Sequence, residues 1–76
     1  MAEATLKIES EKRPSLEEAQ KEVGGFVELV TTTQGQLLVN EEGILEGLPH
    51  NEKASEVAGI PICGNALLLK DKAQWD

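Results

Sequence analysis

The chain has a single cysteine, Cys63, and this restricts how so short a polypeptide can be held in one fold. A domain of 76 residues buries only about 60% of its unfolded surface, so its core alone gives marginal stability. One cysteine cannot form an intramolecular disulfide, and one cysteine with one histidine fall short of a structural zinc site. A second copy is the remaining support, so a homodimer is expected. The lone thiol indicates a reducing compartment.

The charge balance excludes several classes of partner. Asp and Glu number 14 against 7 Lys and Arg, which gives a net charge of −7. Phosphate backbones and anionic membrane surfaces need clustered cations, so neither nucleic acid nor a membrane is an expected partner. The first ten residues lack an apolar run behind a basic start, so no signal peptide is expected. A soluble cytoplasmic protein, or one that meets a basic partner, fits this composition.

The first third of the chain predicts a strand followed by a short helix. Residues 4–10 alternate between apolar and polar side chains, which is typical of a half-buried strand. Ser15 and Glu18 have the spacing of a capping box, in which each side chain bonds the backbone amide of the other. Gly24 stands where a helix ends at positive φ. The expected helix therefore covers residues 15–23 and must pack on a sheet.

The middle of the chain predicts a β-hairpin. Residues 26–33 are rich in Val, Leu and Thr and are expected to form a strand buried on both faces, or nearly so. Gln34 and Gly35 form the turn, and residues 36–40 return as the next strand. Asn40 to Gly43 has the composition of a type I turn, and Ile44 with Leu45 is expected to continue as a short third strand.

The last third predicts a second helix and a final strand. Asn51 is a good N-cap for a helix over residues 52–58, with Gly59 as its end. Residues 60–69 are expected to form the last strand, in which Gly64 suggests a bulge or a close backbone approach.

These elements predict an α+β fold with the order β-α-β-β-α-β. The domain is expected to cover residues 1–70, with a mainly antiparallel sheet of four or five strands and two short helices on one face. Residues 71–76 are interpreted as a polar tail that carries Trp75.

Three stretches carry motifs of a known group of proteins: VGGFVELV (23–30), LLVNEEGILEGLPHN (37–51) and I-x-I-x-G-x-x-L-L (60–68). They resemble a small domain-of-unknown-function family found in tailed phages, plasmids and bacterial mobile elements. The resemblance covers roughly residues 5–69, and Phe26 stands where tyrosine is common in the family. It implies a phage or mobile-element origin and a fold, and it implies no reaction.

The densest group of polar side chains lies in residues 40–51. Its carboxylates and its histidine could be metal ligands, but the spacing is not that of a calcium loop, and a transition-metal site would need ligands from elsewhere. Turn and cap chemistry accounts for the same residues, so no metal or cofactor is expected. His50 could be a general base only with an orienting partner and a group to activate, and the spacing provides neither.

Loops that carry specific side chains are common binding sites, so this segment is also the predicted binding site. Leu48 fits either this site or a satellite of the core. Trp75 fits either a frayed end or an anchor on the domain or a partner. The candidate binding residues are Glu41, Glu42, Gly47, Leu48, Pro49, His50, Asn51 and Trp75.

Three functions remain as hypotheses. The favoured one is a small non-catalytic accessory protein that binds a host or viral protein. The second is a protein that binds or sequesters a nucleotide or another metabolite in a pocket between protomers, lined by the 47–51 loop and the amides of Gly24 and Gly25. An enzyme is disfavoured, because one histidine and no tyrosine leave no credible nucleophile–base pair.

Overall fold

The computed structural model describes residues 4–75 and shows an α+β domain, as predicted. Residues 1–3 of the expected domain and Asp76 of the expected tail lie outside the described range. The elements, in chain order, are β1 (Leu6–Glu9), α1 (Leu16–Val23), β2 (Val27–Thr32), β3 (Gly35–Asn40), α2 (Glu52–Ala58), β4 (Ala66–Leu69) and a final 3-10 turn (Asp71–Ala73).

The four strands form one mixed sheet in the order β1-β4-β3-β2. The β2–β3 hairpin and the β3–β4 pair are antiparallel, and β1 joins β4 in parallel. β4, the last of these strands in the chain, therefore lies between β1 and the β2–β3 hairpin. The mainly antiparallel sheet is confirmed, with one parallel junction.

The two helices cover opposite faces of the sheet, so the expectation of helices on one face is wrong. α1 packs on the face of Leu38, Leu67 and Leu69, hereafter the α1 face. α2 packs on the face of Leu37, Val39 and Leu68, hereafter the α2 face. All six of these side chains on the two faces are at most 3% exposed. The physical reason is that β3 and β4 are apolar at consecutive positions. Successive side chains of a strand point to opposite faces, so both faces need cover.

The strand β2 lies at the sheet edge, so the expectation that it is buried on both faces is also wrong. Leu29 is 40% exposed, and Phe26 just before the strand is 68% exposed. The β-branched composition of this stretch favours a strand but does not say where in the sheet that strand lies.

Two further strand expectations need correction. β4 begins at Ala66, and the preceding residues 60–65 form a loop in which Gly64 has φ +94°. The expected third strand at Ile44 and Leu45 is a series of turns instead, because Gly43 and Gly47 bracket it and the amide of Gly47 bonds the carbonyl of Ile44.

The segment interpreted as a polar tail packs on the domain through residues 71–75. Ala73 is completely buried in the core beneath α1. The indole Nε1 of Trp75 donates to the carbonyl of Pro14 at 2.9 Å. The Trp75 backbone exchanges two hydrogen bonds with the side chain of Gln36, at 2.5 and 2.6 Å. Trp75 is therefore docked on its own domain, on the α1 face.

The predicted helix ends are confirmed. The Ser15 hydroxyl accepts from the Glu18 amide at 3.1 Å, and the Glu18 carboxylate accepts from the Ser15 amide at 2.9 Å. Gly24 and Gly59 end the two helices at φ +80° and +75°, a conformation that only glycine adopts without strain.

The capping box should give the protein a specific acid sensitivity. The hydrogen bonds to Ser15 lower the pKa of Glu18 below its ordinary value of 4.5. A carboxyl with a lowered folded pKa stabilises the fold above its unfolded pKa, and this contribution disappears as the pH falls through the folded pKa. We expect the free energy of unfolding of Glu18→Gln to fall less than that of the unmodified chain between pH 6 and about pH 3. Urea titrations at each pH measure this, and parallel losses in the two proteins would contradict it.

Candidate functional site

The turn that opens the predicted binding segment is built by Asn40. Its carbonyl accepts from the Gly43 amide at 3.2 Å, which confirms the four-residue turn. Its side-chain oxygen accepts from the Glu42 amide at 2.8 Å, and its side-chain nitrogen donates to the Val23 carbonyl at 3.1 Å. Asn40 is 6% exposed, so it ties the turn to the end of α1 from inside the domain.

The second half of the segment is paired with the loop before β4. The Asn51 amide donates to the Ile62 carbonyl at 2.8 Å, and the Gly64 amide donates to the Pro49 carbonyl at 2.7 Å. His50 and Cys63 lie opposite each other in this short antiparallel pairing. Backbone pairing therefore joins residues 49–51 to the loop before β4.

Glycine is required where the two halves meet. A Cβ on Gly43 would collide with the carbonyl of Cys63, and a Cβ on Gly64 would lie 2.8 Å from Leu48 Cδ1. Leu48 is only half-buried, yet its side chain fills the space that Gly64 leaves open. Both glycines thus permit a close approach of two loops, as the sequence suggested for Gly64.

Asn51 is the most constrained of the predicted binding residues. It is 2% exposed and makes three side-chain hydrogen bonds. Its oxygen accepts from the Ala54 amide at 3.0 Å, and its nitrogen donates to the carbonyls of Thr5 at 2.9 Å and Gly64 at 3.0 Å. One side chain therefore caps α2 and joins it to the start of β1 and to the loop before β4. Its hydrogen-bonding groups are used within the domain.

The remaining predicted binding residues do not converge on one site. Glu41 and Glu42 are exposed in the turn, and Glu42 lies near Phe26. His50 is exposed beside Glu52 and Glu56, on the far side of Ile60 and Pro61 from Glu41. The hydroxyl of Ser55 donates to the Asn51 carbonyl at 2.6 Å and accepts from the Ile62 amide at 2.8 Å, so the loop and helix occupy it.

An apolar groove on the α2 face is a better candidate. It has a volume of about 190 Å³. Three of its apolar side chains are strongly exposed: Leu45 at 85%, Ile44 at 66% and Ile60 at 51%. We define the apolar groove by six of its lining residues, which come from β2 and two loops: Val30, Ile44, Leu45, Ile60, Pro61 and Cys63.

The rim of the apolar groove is acidic. Glu28 of β2 and Glu41 of the turn both line it and are exposed. Among the described residues, no lysine or arginine contributes to its lining. The groove thus offers exposed apolar side chains beside negative charge, a combination that suits a ligand with apolar and basic groups.

The sequence did not identify this groove, since its residues come from separate segments. One local signal was available. Ile44 and Leu45 are two large apolar residues with an acidic residue and a glycine on each side. Such neighbours do not allow a buried strand to continue through this position. Turn geometry holds these two side chains outside the core, where Ile44 is 66% and Leu45 85% exposed.

Within residues 4–75, no group of three His, Cys, Asp or Glu side chains is placed to hold a metal ion. In the same range, neither helix has the length and apolar character that crossing a bilayer requires.

The role of Asn51 can be tested with an isosteric change. Asn51→Asp keeps the cap acceptor but removes both amide donors and sets a buried carboxylate against two carbonyl oxygens. We expect a loss of about 3 kcal/mol in the free energy of unfolding. Asn65→Asp is the matched control, because exposed Asn65 only accepts from the Thr5 amide through its side-chain oxygen, which aspartate retains. Equal losses in the two variants, measured by urea denaturation, would contradict the structural role of Asn51.

The two glycines that bracket Ile44 and Leu45 should differ in their tolerance of alanine. Gly43→Ala forces the turn away from Cys63, at a cost of about 3 kcal/mol. Gly47 has φ +67° but open space around it, so Gly47→Ala costs only the backbone strain, about 1–2 kcal/mol. The rate of Cys63 alkylation under native conditions provides a second measurement. It should rise in Gly43→Ala and stay near the original rate in Gly47→Ala.

Comparison with known proteins gives a family and no closer relative. The family model described as "Domain of unknown function (DUF3846)" matches residues 2–76. No curated protein and no solved structure matches the chain.

Proposed function

We propose that this chain, which belongs to the DUF3846 family, is a non-catalytic binding protein whose apolar groove receives a segment of another protein. The segment would present apolar side chains to the groove and lysine or arginine to its rim. The proposal continues the hypothesis of a phage or mobile-element accessory protein that binds a host or viral protein.

The observation that supports the proposal is the exposure of Ile44, Leu45 and Ile60 around one groove. Ordinary surfaces expose scattered apolar side chains, whereas a contiguous apolar cluster with a polar rim is typical of a docking surface. Burying such side chains in a partner yields about 25 cal/mol for each Å² of apolar surface removed from water. The turn that carries Ile44 and Leu45 is closed by backbone hydrogen bonds, from the Gly47 amide to the Ile44 carbonyl and from the Leu48 amide to the Gly43 carbonyl, which lowers the ordering entropy that binding costs.

Charge favours a basic partner. The net charge is −7, and the rim residues Glu28 and Glu41 place part of it at the groove. Such a field accelerates encounter with a positively charged segment and rejects an acidic one. Because exposed charges are screened, the binding should weaken as salt is added.

The metabolite hypothesis has less support. The amides of Gly24 and Gly25 both donate to the Gln20 carbonyl, at 2.9 and 3.1 Å. They are therefore part of the helix end and are not free to line a pocket.

A peptide-display selection followed by a pair of leucine variants tests the proposal. We expect the chain to select peptides in which apolar residues are flanked by lysine or arginine. Leu45→Glu should raise their Kd at least about tenfold, because it places a charge in the groove. Leu16→Glu is the control, since Leu16 is also an exposed leucine (55%) but lies on α1.

The binding measurements should be made at two salt concentrations, with backbone amide shifts recorded for one selected peptide. Shifts confined to the residues of the apolar groove, and a Kd that rises with salt, are the expected results. Selection of acidic peptides, or equal affinity for Leu45→Glu and the unmodified chain, would contradict the proposal. Shifts centred on His50, or produced by nucleotides, would favour the metabolite hypothesis instead.

A further inference from the structure

The two edges of the sheet differ in how well they are protected against pairing. β1 has four residues, and two of them are the charged Lys7 and Glu9. β2 has six residues in unbroken register with β3, contains no proline and no lysine, and carries one charged residue, Glu28. Short length, lysine, proline and bulges are the usual devices that keep an edge strand from pairing, and β2 lacks all of them.

The direction of the peptide groups along β2 follows from the hairpin. Thr32 and Gly35 flank a two-residue loop, so they form a hydrogen-bonded pair, and such pairs alternate along an antiparallel ladder. The bond from the Glu41 amide to the Phe26 carbonyl, at 2.9 Å, continues the same alternation. The intervening residues therefore direct their N–H and C=O groups away from β3, toward the free edge. These are Val27, Leu29 and Thr31.

We propose that a second copy of this chain pairs with β2 in antiparallel fashion, with Leu29 opposite Leu29 of the second copy. The three outward residues are symmetric about Leu29, so Val27 of one copy meets Thr31 of the other. Every outward peptide group of both strands then has a partner, which gives about six hydrogen bonds between the copies. The two four-stranded sheets become one sheet of eight strands.

Charge and side-chain direction select this register over its neighbours. An antiparallel pair related by a two-fold axis places the α1 faces of both copies on the same side of the joined sheet. An alternative register must therefore slide one β2 strand along the other by two residues. A shift one way sets Glu28 opposite Glu28 of the second copy, where like charges repel. A shift the other way leaves Val27 without a partner within the strand. In the proposed register Glu28 lies opposite Val30 of the second copy, and the half-exposed Leu29 side chains meet on the α1 face.

The assembly is closed and extends the apolar groove. A two-fold pair uses both β2 edges and leaves only the short, charged β1 edges at its ends, so growth stops at a dimer. Glu28 and Val30 both line the groove on the α2 face. The second copy would therefore bring its own Val30 beside Glu28, and the two grooves would lie next to each other on one face. The pairing itself does not depend on what the groove binds.

Sedimentation of the full chain and of one proline variant provides the first test. The N–H of Leu29 points away from β3, so Leu29→Pro removes both hydrogen bonds of the Leu29–Leu29 pair between the copies and none within the hairpin. The unmodified chain should be dimeric, and Leu29→Pro should weaken dimerisation about tenfold or more while it retains its circular dichroism and its Trp75 emission. A monomeric unmodified chain, or a folded Leu29→Pro that dimerises unchanged, would overturn the proposal.

Cysteine cross-linking tests the register even where proline disturbs the fold. In the Cys63→Ala background, Leu29→Cys should form a disulfide with itself under mild oxidation, because Cα atoms of hydrogen-bonded antiparallel pairs lie about 5.5 Å apart. Thr31→Cys and Val27→Cys should each fail to link alone, and a mixture of the two should link. Linking of Thr31→Cys to itself as fast as Leu29→Cys, or no linking in any sample, would overturn the proposed register.

Salt and one groove variant separate this proposal from the binding function. Two chains of like net charge repel, so added salt should tighten the dimer, whereas it should weaken peptide binding. Leu45→Glu should leave the sedimentation coefficient of the dimer unchanged. A dimer that dissociates in Leu45→Glu would show that the copies meet through the groove and would overturn pairing through β2.

Discussion

The buried side chain of Asn51 is the interaction on which the arrangement of the domain most depends. It bonds three backbone groups, which belong to Thr5 just before β1, to α2 and to the loop before β4. Thr5 lies 46 residues from Asn51 in the chain, and a single amide can join it to the other two segments because it has both donors and an acceptor. The energetic importance of such a group lies in the cost of leaving its partners buried and unpaired. Asn51, which the sequence suggested as a binding residue, thus connects three parts of the fold.

The second constraint is the apolar character of β3 and β4 on both faces. Leu37 and Leu38 are neighbours in sequence, and both are completely buried. A small chain rarely has enough material to cover two faces of a sheet. Here α1 with the 3-10 turn covers one face and α2 covers the other, each with few residues. On the α2 face, the apolar groove lies between β2 and the two loops that carry Ile44 and Ile60.

The sequence predicted the helices well because their ends are encoded locally. Ser15 with Glu18, Asn51, and the two terminal glycines each act within one turn of helix, so their spacing alone determines the bounds. The position of β2 at the edge and the placement of helices on opposite faces depend on tertiary packing, which the spacing does not contain. The site shows the same limit. Residues 47–51 were conspicuous as a run, whereas Ile44, Val30 and Ile60 become neighbours only in the fold.

The position of β4 has a consequence for how the domain is assembled. Among the described strands it comes last in the chain, yet it lies between β1 and β3 and contributes to both buried clusters. During synthesis, β1 therefore has no strand to pair with until β4 has emerged from the ribosome. The hairpin can form early from local contacts, but the parallel junction closes a loop of nearly the whole domain, which slows folding. The fold is therefore complete only when the strand contact of largest separation in the chain forms, and until then both buried clusters lack the side chains that β4 contributes.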